Sequence, residues 1–454
     1  MTEFTADFKL DRNNVEFNQA ADFVNNTNKL IYLTGKAGTG KTTFLKFIKQ
    51  TALKNTVVLA PTGVAALNAG GQTIHSFFKI APGFFVPDDA RLRTTPDPDS
   101  SDKRTIYDYF RYRHEKIDLI MEMELLIIDE ISMVRCDLLD LVDRILRVFR
   151  DRLSEPFGGV QVLLIGDVFQ LPPIAGNDQW SILRNFYETP FFFSSKVIHE
   201  NKPVYIELKK IYRQSDSEFI SLLNNIRVNK VTEQDMELLN SRFIPSEIKN
   251  ENHSYITLAT HNQMAEDTNS IKLNNLESEL KSFEAKVSGT FPDMMMPTDK
   301  KLNLKVGAQI MFIKNDTEKK YYNGKIGKIK KLRRSKITVE FPDKSEIDVS
   351  KFTWENIVYA WNESEKKVEQ EVIGTFRQFP VRLAWAITVH KSQGLTLENV
   401  IADIKNSFSP GQVYVALSRC TSIEGLVLKS KINRNVIKTD PDVIKFAESE
   451  MVFE

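Results

Sequence analysis

The stretch that decides the fold of this 454-residue chain is Gly35-Lys36-Ala37-Gly38-Thr39-Gly40-Lys41-Thr42. It matches the phosphate-binding loop pattern G-x-x-x-x-G-K-[ST] at every fixed position. The apolar residues 30–34 before it predict a buried strand, and residues 43–50 carry the spacing of a helix. Backbone N–H groups of such a turn converge on an anion, and the helix N-terminus adds partial positive charge. The stretch therefore predicts a site for a nucleoside triphosphate.

Two side chains of this loop carry distinct predicted roles. Lys41 is expected to reach the terminal phosphates, and the Thr42 hydroxyl is expected to hold Mg²⁺. About one helix upstream, Gln19 is a candidate reader of adenine, because its amide can donate to and accept from the N6/N7 edge at once. The other predicted nucleotide contacts are Gly35, Ala37, Gly38, Thr39, Gly40 and Thr43.

Composition excludes several classes of protein. The hydrophobic share of 42% and the charged share of 27% are ordinary for a globular protein. No apolar run approaches the roughly 18 residues of a membrane span, and residues 1–14 do not have the pattern of a signal or transit peptide. Cys136 and Cys420 lack a C-x-x-C pattern and are expected to be reduced thiols. We therefore expect a cytoplasmic protein with no membrane partner.

A second apolar run, Thr56–Ala60, ends in Pro61, Thr62 and Gly63. Ligands of open α/β sheets bind at the carboxyl ends of strands, so these three residues are candidate contacts. His75 and Thr62 could hydrogen-bond a phosphodiester. Phe77 could either offer a stacking face or be an ordinary core residue, and the sequence around it leaves both open.

Two further apolar strands end in residues suited to ATP hydrolysis. Residues 125–128 lead to Asp129, which is placed to hold Mg²⁺, and to Glu130, which can polarise the attacking water. Residues 160–165 lead to Asp167 and Gln170, and Gln170 can sense the γ-phosphate. Strands near 30, 57, 125 and 162, separated by helices, predict one parallel sheet.

These motifs together resemble superfamily 1 helicases, and the Pif-type and RecD-like branch in particular. The residues that carry the resemblance are Gln19, Gly35–Thr42, Ala60–Gly63, Asp129–Met133, Gly166–Pro173, Leu208–Gln214, Trp385–Gly394 and Tyr414–Arg419.

The resemblance implies an α/β fold with two RecA-like parallel-sheet motor domains and two inserted subdomains. It implies that Arg213 and Arg419 act on the γ-phosphate, that Gly394 contributes to the nucleotide site, and that His390, Lys391 and Ser392 contact DNA. It also implies an ATP- and Mg²⁺-dependent helicase that moves 5′ to 3′ on single-stranded DNA. The expected partners are single-stranded DNA and its junctions with duplex, bound by a monomer or a transient dimer.

The domain boundaries expected on this basis follow the chain in order. Residues 1–75 and 119–190 form the first motor domain with the ATP site, and 76–118 form an inserted, wedge-like subdomain. Residues 191–296 and 377–440 form the second motor domain. Residues 297–376 form an SH3-like β-barrel, and 441–454 form a C-terminal tail.

The net charge of the chain is only +1, so any electrostatic signal for DNA binding must come from local clusters of basic residues. Residues 300–336 hold 13 Lys and Arg against two acids, Asp316 and Glu318. Such a run is either a solvated basic face or a phosphate contact. Two other functions stay open: a P-loop ATPase that remodels protein complexes, and a DNA-binding module with a degenerate motor. The intact Lys41, Glu130 and Arg419 argue against the second.

Overall fold

The computed structural model describes residues 14–248, 255–316 and 318–451. Residues 1–13, part of the second motor domain expected from the sequence (249–254) and the last three residues of the predicted tail lie outside these ranges. The chain divides into two compact units. The first comprises the residues through Asp167, Pro173–Tyr212 and Ile357–Glu371. The second comprises Val168–Pro172, Arg213–Asn356 and the residues from Val372 onward.

The first unit is built on a six-stranded parallel sheet in the order β3-β2-β4-β5-β1-β6. Its strands are Ile31–Gly35 (β1), Thr56–Ala60 (β2), Gln72–Thr73 (β3), Leu125–Ile128 (β4), Gln161–Ile165 (β5) and Val204–Leu208 (β6). The four strands predicted from the apolar runs are confirmed as neighbours in one parallel sheet. The edge strands β3 and β6 were not predicted.

Helices of the first unit cover this sheet. They are Val15–Asn26 (α1), Lys41–Thr51 (α2), Gly63–Ala69 (α3), Ile74–Phe78 (α4), Ile106–Tyr109 (α5), His114–Glu122 (α6), Cys136–Phe149 (α7), Asn177–Leu183 (α8) and Lys196–Glu200 (α9). The wedge-like segment expected at 76–118 contains α5 and part of α6. Its aromatic residue Phe85 is buried, and Phe84 packs against Cys136 and Tyr187.

The second unit contains a four-stranded parallel sheet in the order β18-β7-β19-β20, and three antiparallel sheets. The strands from Tyr255 onward are Ile256–Ala259 (β7), Lys281–Glu284 (β8), Lys286–Gly289 (β9), Lys301–Leu304 (β10), Gln309–Phe312 (β11), Ile326–Leu332 (β12), Lys336–Glu340 (β13), Glu346–Ser350 (β14), Phe352–Asn362 (β15), Lys367–Gln378 (β16), Val381–Leu383 (β17), Ala386–Thr388 (β18), Val400–Asp403 (β19) and Leu426–Leu428 (β20). The sequence also predicts strands near 255–260, 399–403 and 425–428, and these correspond to β7, β19 and β20.

In the sequence, the described helices of the second unit precede, interrupt and follow these strands. They are Ser217–Arg227 (α10), Glu233–Ser241 (α11), Pro245–Ile248 (α12), Asn262–Asn274 (α13), Gln412–Leu417 (α14) and Pro441–Met451 (α15). Among the described residues, no helix is long and apolar enough to cross a membrane.

The predicted SH3-like barrel corresponds to a five-stranded antiparallel sheet in the order β14-β13-β12-β11-β17. Its core includes Ile310, Phe312, Ile337 and Val339. Closure of these strands into a barrel is not confirmed. The basic run on this sheet is partly neutralised across the strands, because Lys336 Nζ lies 3.0 Å from a carboxylate oxygen of Asp348 on β14.

The turn between β15 and β16, together with the adjoining strand ends, belongs to the first unit as Ile357–Glu371. This segment falls within the insertion 297–376 predicted from the sequence. Tyr359 is buried there, and its hydroxyl accepts from the N–H of Val58 at 3.1 Å. The N–H of Val368 donates to Asn55 Oδ1 at 3.1 Å. Through these hydrogen bonds, the β15–β16 hairpin contacts β2 and the residue that precedes it.

Candidate nucleotide and DNA sites

The phosphate-binding loop connects β1 to α2, as the sequence predicts. A Cβ on Gly35 would lie 2.5 Å from Thr39 Oγ1 and 2.8 Å from the carbonyl oxygen of Leu208. Only glycine avoids these clashes, so the first fixed position of the motif has a steric cause. Gly40 has φ +94° and immediately precedes the first residue of α2. This left-handed residue turns the chain so that the helix N-terminus follows the loop directly.

Lys41 lies where the loop meets α2. Its Nζ donates to the carbonyl oxygens of Gly35 at 2.6 Å and Lys36 at 3.1 Å. The ammonium therefore already faces the backbone that would surround a phosphate. Thr42 and Thr43 are exposed in the first turn of α2, so their hydroxyls are accessible to a ligand. Ala37 and Thr39 are buried and support the loop from inside.

Helix α1, which carries Gln19, packs on α2 through an aromatic contact. Phe17 packs on Phe44 of α2 with ring centroids 4.9 Å apart. Gln19 is on the exposed face of α1, and its role as an adenine reader stays a prediction.

Sequence reasoning missed two neighbours of the loop, Asn14 and Tyr212. Asn14 caps α1 and donates to the Tyr212 hydroxyl at 3.1 Å, and the N–H of Tyr212 donates to the carbonyl of Gly38 at 2.9 Å. The Tyr212 ring lies 3.7 Å from where a Cβ of Gly40 would be. The sequence offers one signal for Tyr212, because this residue directly precedes the predicted site residue Arg213.

The two carboxylates follow a strand whose residues are all buried. Burial and the neighbouring Glu130 raise the pKa of Asp129, and Lys41 opposes that rise. A cation bound beside Asp129 would stabilise its charged form in the same way as Lys41 does. Glu130 has φ +52° and ψ +45°, a left-handed conformation that costs a residue with a side chain about 1 kcal/mol or more. Such strain at a carboxylate is typical of a functional position.

The end of β5 lies against the same turn. A Cβ on Gly166 would be 2.9 Å from the backbone nitrogen of Ile131, so the two strand ends are in close contact. Asp167 is fully buried and is the last residue of this stretch that belongs to the first unit.

The backbone of Gln170 lies very close to Gly411, and both residues belong to the second unit. A Cβ on Gly411, whose φ is +74°, would lie 2.1 Å from the carbonyl oxygen of Gln170. The guanidinium of Arg227 stacks on the ring of Phe169, 3.9 Å from its centroid. Neither Gly411 nor Arg227 was predicted, because both contacts join residues far apart in the sequence.

The two predicted arginines are neighbours in the second unit. Arg213 donates from Nε to Thr396 Oγ1 and from Nη1 to the carbonyl of Ser418, both at 3.1 Å. Arg419 donates from Nε to the carbonyl of Val415 at 3.0 Å. Burial, followed by repulsion from Arg419, lowers the pKa of Arg213 to about 9. The buried Arg419 beside the partly buried Arg213 favours an anionic ligand, because an anion relieves both the burial cost and the repulsion.

Gln214 is another residue that the sequence did not single out, although the matched segment ends on it. It is buried, and its Nε2 donates to the carbonyls of Ser418 at 3.1 Å and Cys420 at 2.9 Å. These bonds hold the backbone on both sides of Arg419. Gln214 and Thr396 are therefore candidate positioning residues for the two arginines.

The predicted DNA contacts of the first unit differ in accessibility. Pro61, Thr62 and Gly63 follow the carboxyl end of β2 as expected, and the Thr62 hydroxyl caps α3 by accepting from the N–H of Ala65 at 3.2 Å. His75 is partly buried in α4. Phe77 does not present a free face, because it is 1% exposed and Lys116 Nζ lies 3.0 Å from its ring centroid. Of the two interpretations the sequence left open for Phe77, the structure favours the core residue.

In the second unit, His390 and Lys391 are exposed just after β18. Ser392 is fully buried, and its hydroxyl donates to the carbonyl of Val389 at 2.7 Å. That hydrogen bond gives the Ser392 hydroxyl a structural role. The DNA contact predicted for Ser392 has no support from the structure. Gly394 is exposed with φ +79°, and a Cβ there would meet nothing within 4 Å.

Comparisons with known proteins identify the family of this chain. Residues 11–237 match the family model described as "PIF1-like helicase". The "ATP-dependent DNA helicase Pif1" of Bdellovibrio bacteriovorus is 32% identical over 92% of this chain and 87% of its own length. This chain belongs to the Pif1-like helicases. Family members of this kind are named as ATP-dependent DNA helicases.

Solved structures of the family extend the agreement to the whole chain. The helicase is similar to Bacteroides sp Pif1 in complex with ADP-AlF4, with TM-score 0.88, 39% identity and 97% of each chain covered. It is also similar to Bacteroides Pif1 bound to ssDNA, with TM-score 0.66, 40% identity and 96% of each chain covered. By contrast, the helicase spans 61% of the length of the zebrafish (Danio rerio) relative, which is 33% identical to it.

Proposed function

We propose that this Pif1-like helicase uses ATP hydrolysis to move 5′ to 3′ along single-stranded DNA and to unwind the duplex ahead of it. The observation that carries the proposal is the adjacency of Arg213 and Arg419, which both donate hydrogen bonds to Ser418, because two neighbouring guanidinium groups suit the charge that develops on a transferred γ-phosphoryl group. Family membership supports both ATP as the nucleotide and DNA as the substrate. The alternative of a protein-remodelling ATPase is not favoured by these relatives.

In the proposed ATP site, the loop N–H groups and Lys41 hold the β- and γ-phosphates. Thr42 and Asp129 are the proposed Mg²⁺ ligands, since a hydroxyl and a carboxylate are oxygen donors of the kind Mg²⁺ takes. Glu130 orients and polarises the attacking water, and Gln170 responds to the γ-phosphate. Gln19 and Gly394 complete the nucleotide contacts. Arg213 and Arg419 are proposed to stabilise the charge that develops on the γ-phosphate.

The parallel sheets of the two units are, in this proposal, two RecA-like motor domains. The antiparallel sheet that contains β11–β14 is the SH3-like subdomain, and residues 76–118 are the wedge-like subdomain. DNA contacts are assigned to residues that can touch the backbone of any sequence: Pro61, Thr62, Gly63, His75, His390 and Lys391. We propose a monomer or a transient dimer on DNA, located in the cytoplasm, which the bacterial relatives and the two free thiols of Cys136 and Cys420 support.

Unwinding of tailed duplexes tests the proposal. The helicase should separate a duplex with a 5′ single-stranded tail in an ATP-dependent reaction, and a duplex with only a 3′ tail should stay intact at the same enzyme concentration. The Lys41→Ala variant is the control, because it lacks the cation at the phosphates. Equal unwinding of both substrates would overturn the polarity. Failure on both, with ATP hydrolysis intact, would overturn the helicase assignment for this chain.

A further inference from the structure

Three neighbouring strands of the second unit end at the same edge of its parallel sheet. Strands β18, β7 and β19 lie side by side and run parallel, with Thr388 opposite Ala259 and Asp403 opposite Ala259 on its other side. The chain that leaves β18 carries His390 and Lys391. The chain that leaves β7 carries His261, and the chain that leaves β19 carries Phe408. The carboxyl edge of such a sheet is where α/β proteins bind ligands.

Two aromatic rings from this edge are in contact and accessible. Phe408 is 56% exposed, and His261 is also exposed. Their ring centroids are 5.1 Å apart with an interplanar angle of 39°. His261 is further oriented by a hydrogen bond between its Nδ1 and the hydroxyl of Thr260, at 2.8 Å. The two rings together offer a larger aromatic surface than an isolated exposed side chain does.

The backbone beneath the rings is fixed by one buried glutamine. Gln412 is fully buried at the start of α14, and its Oε1 accepts from the N–H of Phe408 at 3.2 Å. Its Nε2 donates to the carbonyl of Thr260 at 3.4 Å. One side chain therefore ties the loop that carries Phe408 to the loop that carries His261. These polar contacts fix the backbone that carries the two rings, while the rings themselves stay exposed.

A polar group beside Phe408 also lacks a partner. The Ser407 side chain is 8% exposed, and its buried hydroxyl has no hydrogen-bond partner among the described parts of the chain. Buried hydroxyls in proteins are paired in most cases, and an unpaired one is often found where a ligand or a water binds.

We propose that His261 and Phe408 form a stacking site for one base of single-stranded DNA. This inference rests on the proposed function, because it takes DNA as the ligand. Base stacking tolerates any sequence, since every base has a π-face, and it suits a protein that moves along a strand. Lys391 and His390 at the end of the adjacent strand supply backbone contacts on the same edge. The site thus adds a base contact to the edge where the resemblance implied DNA contacts by His390, Lys391 and Ser392.

The test compares a thymidine oligonucleotide with an all-abasic strand of the same length, measured by equilibrium binding. Phe408→Ala should weaken binding of the thymidine strand by about fivefold or more and leave binding of the abasic strand unchanged. Phe408→Leu keeps apolar bulk without a ring and should resemble the alanine variant. Phe408→Trp should restore binding. At saturating DNA, the kcat for ATP should be near the wild-type value in all three variants.

Ile271→Ala is the matched control, because Ile271 is an exposed apolar residue of the same unit, 60% accessible and carried on α13. It should bind both strands as the wild type does. Wild-type affinity of Phe408→Leu for the thymidine strand would overturn the stacking site and leave the helicase function standing. An equal loss on both strands would also overturn it, because Phe408 would then only support the loop. Failure of the wild type to bind either strand would overturn the DNA assignment itself.

Discussion

Replacing Arg213 by alanine should lower kcat for ATP hydrolysis by at least about 10²-fold, with a much smaller change in nucleotide affinity. The guanidinium is proposed to interact most strongly with the charge that develops as the γ-phosphoryl group leaves, so its loss raises the barrier more than it weakens ATP binding. Arg419→Ala should have an effect of the same kind. Single-turnover hydrolysis and nucleotide Kd, measured on the same preparation, separate the two quantities.

Arg213 also has a structural role that this experiment must control. Its bonds to Thr396 and to the carbonyl of Ser418 would be lost in the alanine variant, so the melting temperature is measured alongside. Arg434→Ala is a matched control, because Arg434 is an exposed arginine of the same unit. It should leave both kcat and Kd unchanged. If Arg213→Ala lost affinity only, with single-turnover rates intact, Arg213 would be a binding residue rather than a catalytic one.

Replacing Glu130 by glutamine should lower hydrolysis by roughly 10²- to 10⁴-fold while ATP and single-stranded DNA still bind. The substitution keeps the size of the side chain and removes only the charge that polarises water. The strained backbone at φ +52° is no harder for glutamine than for glutamate, so the turn between β4 and α7 should persist. Rapid-quench hydrolysis with equilibrium binding of ATP and DNA gives the measurement.

A surface carboxylate provides the control for this second variant. Glu122→Gln changes an exposed residue at the end of α6, in the same unit, and should hydrolyse ATP at the wild-type rate. Near-normal turnover in Glu130→Gln would exclude Glu130 as the group that activates water. Loss of ATP binding together with hydrolysis would instead indicate that its charge holds the metal or the loop.

The structural elements that the sequence predicts correctly are those set by local patterns. The loop from Gly35 to Thr42 is a contiguous motif, and the clash that a Cβ would cause at Gly35 explains why its first position must be glycine. The strand before Asp129 is entirely apolar, so its burial follows from composition. Parallel strands then bring these ends to one edge of the sheet, which is a rule of the fold class rather than of this protein.

The parts that sequence reasoning missed depend on contacts between distant residues. Gln214 holds the backbone around Arg419, and Gln412 holds the loops of His261 and Phe408; neither pairing leaves a local pattern. For the basic run at 300–336, the sequence instead overstates the positive charge. Counting charges along the chain omits the acids on β13 and β14, such as Asp348, that fold back beside the lysines. Phe77 shows why an aromatic residue near a predicted site cannot be assigned before its burial is known.

If this chain is a DNA motor, single-stranded DNA should stimulate its ATP hydrolysis. The decisive measurement is the steady-state rate of ATP hydrolysis by the wild-type protein, titrated with a single-stranded oligonucleotide. We expect a steep, saturable rise in kcat with the oligonucleotide, and no rise with an equal mass of an unrelated folded protein. A hydrolysis rate that stays the same across the DNA titration would show that this chain is not a motor of that kind.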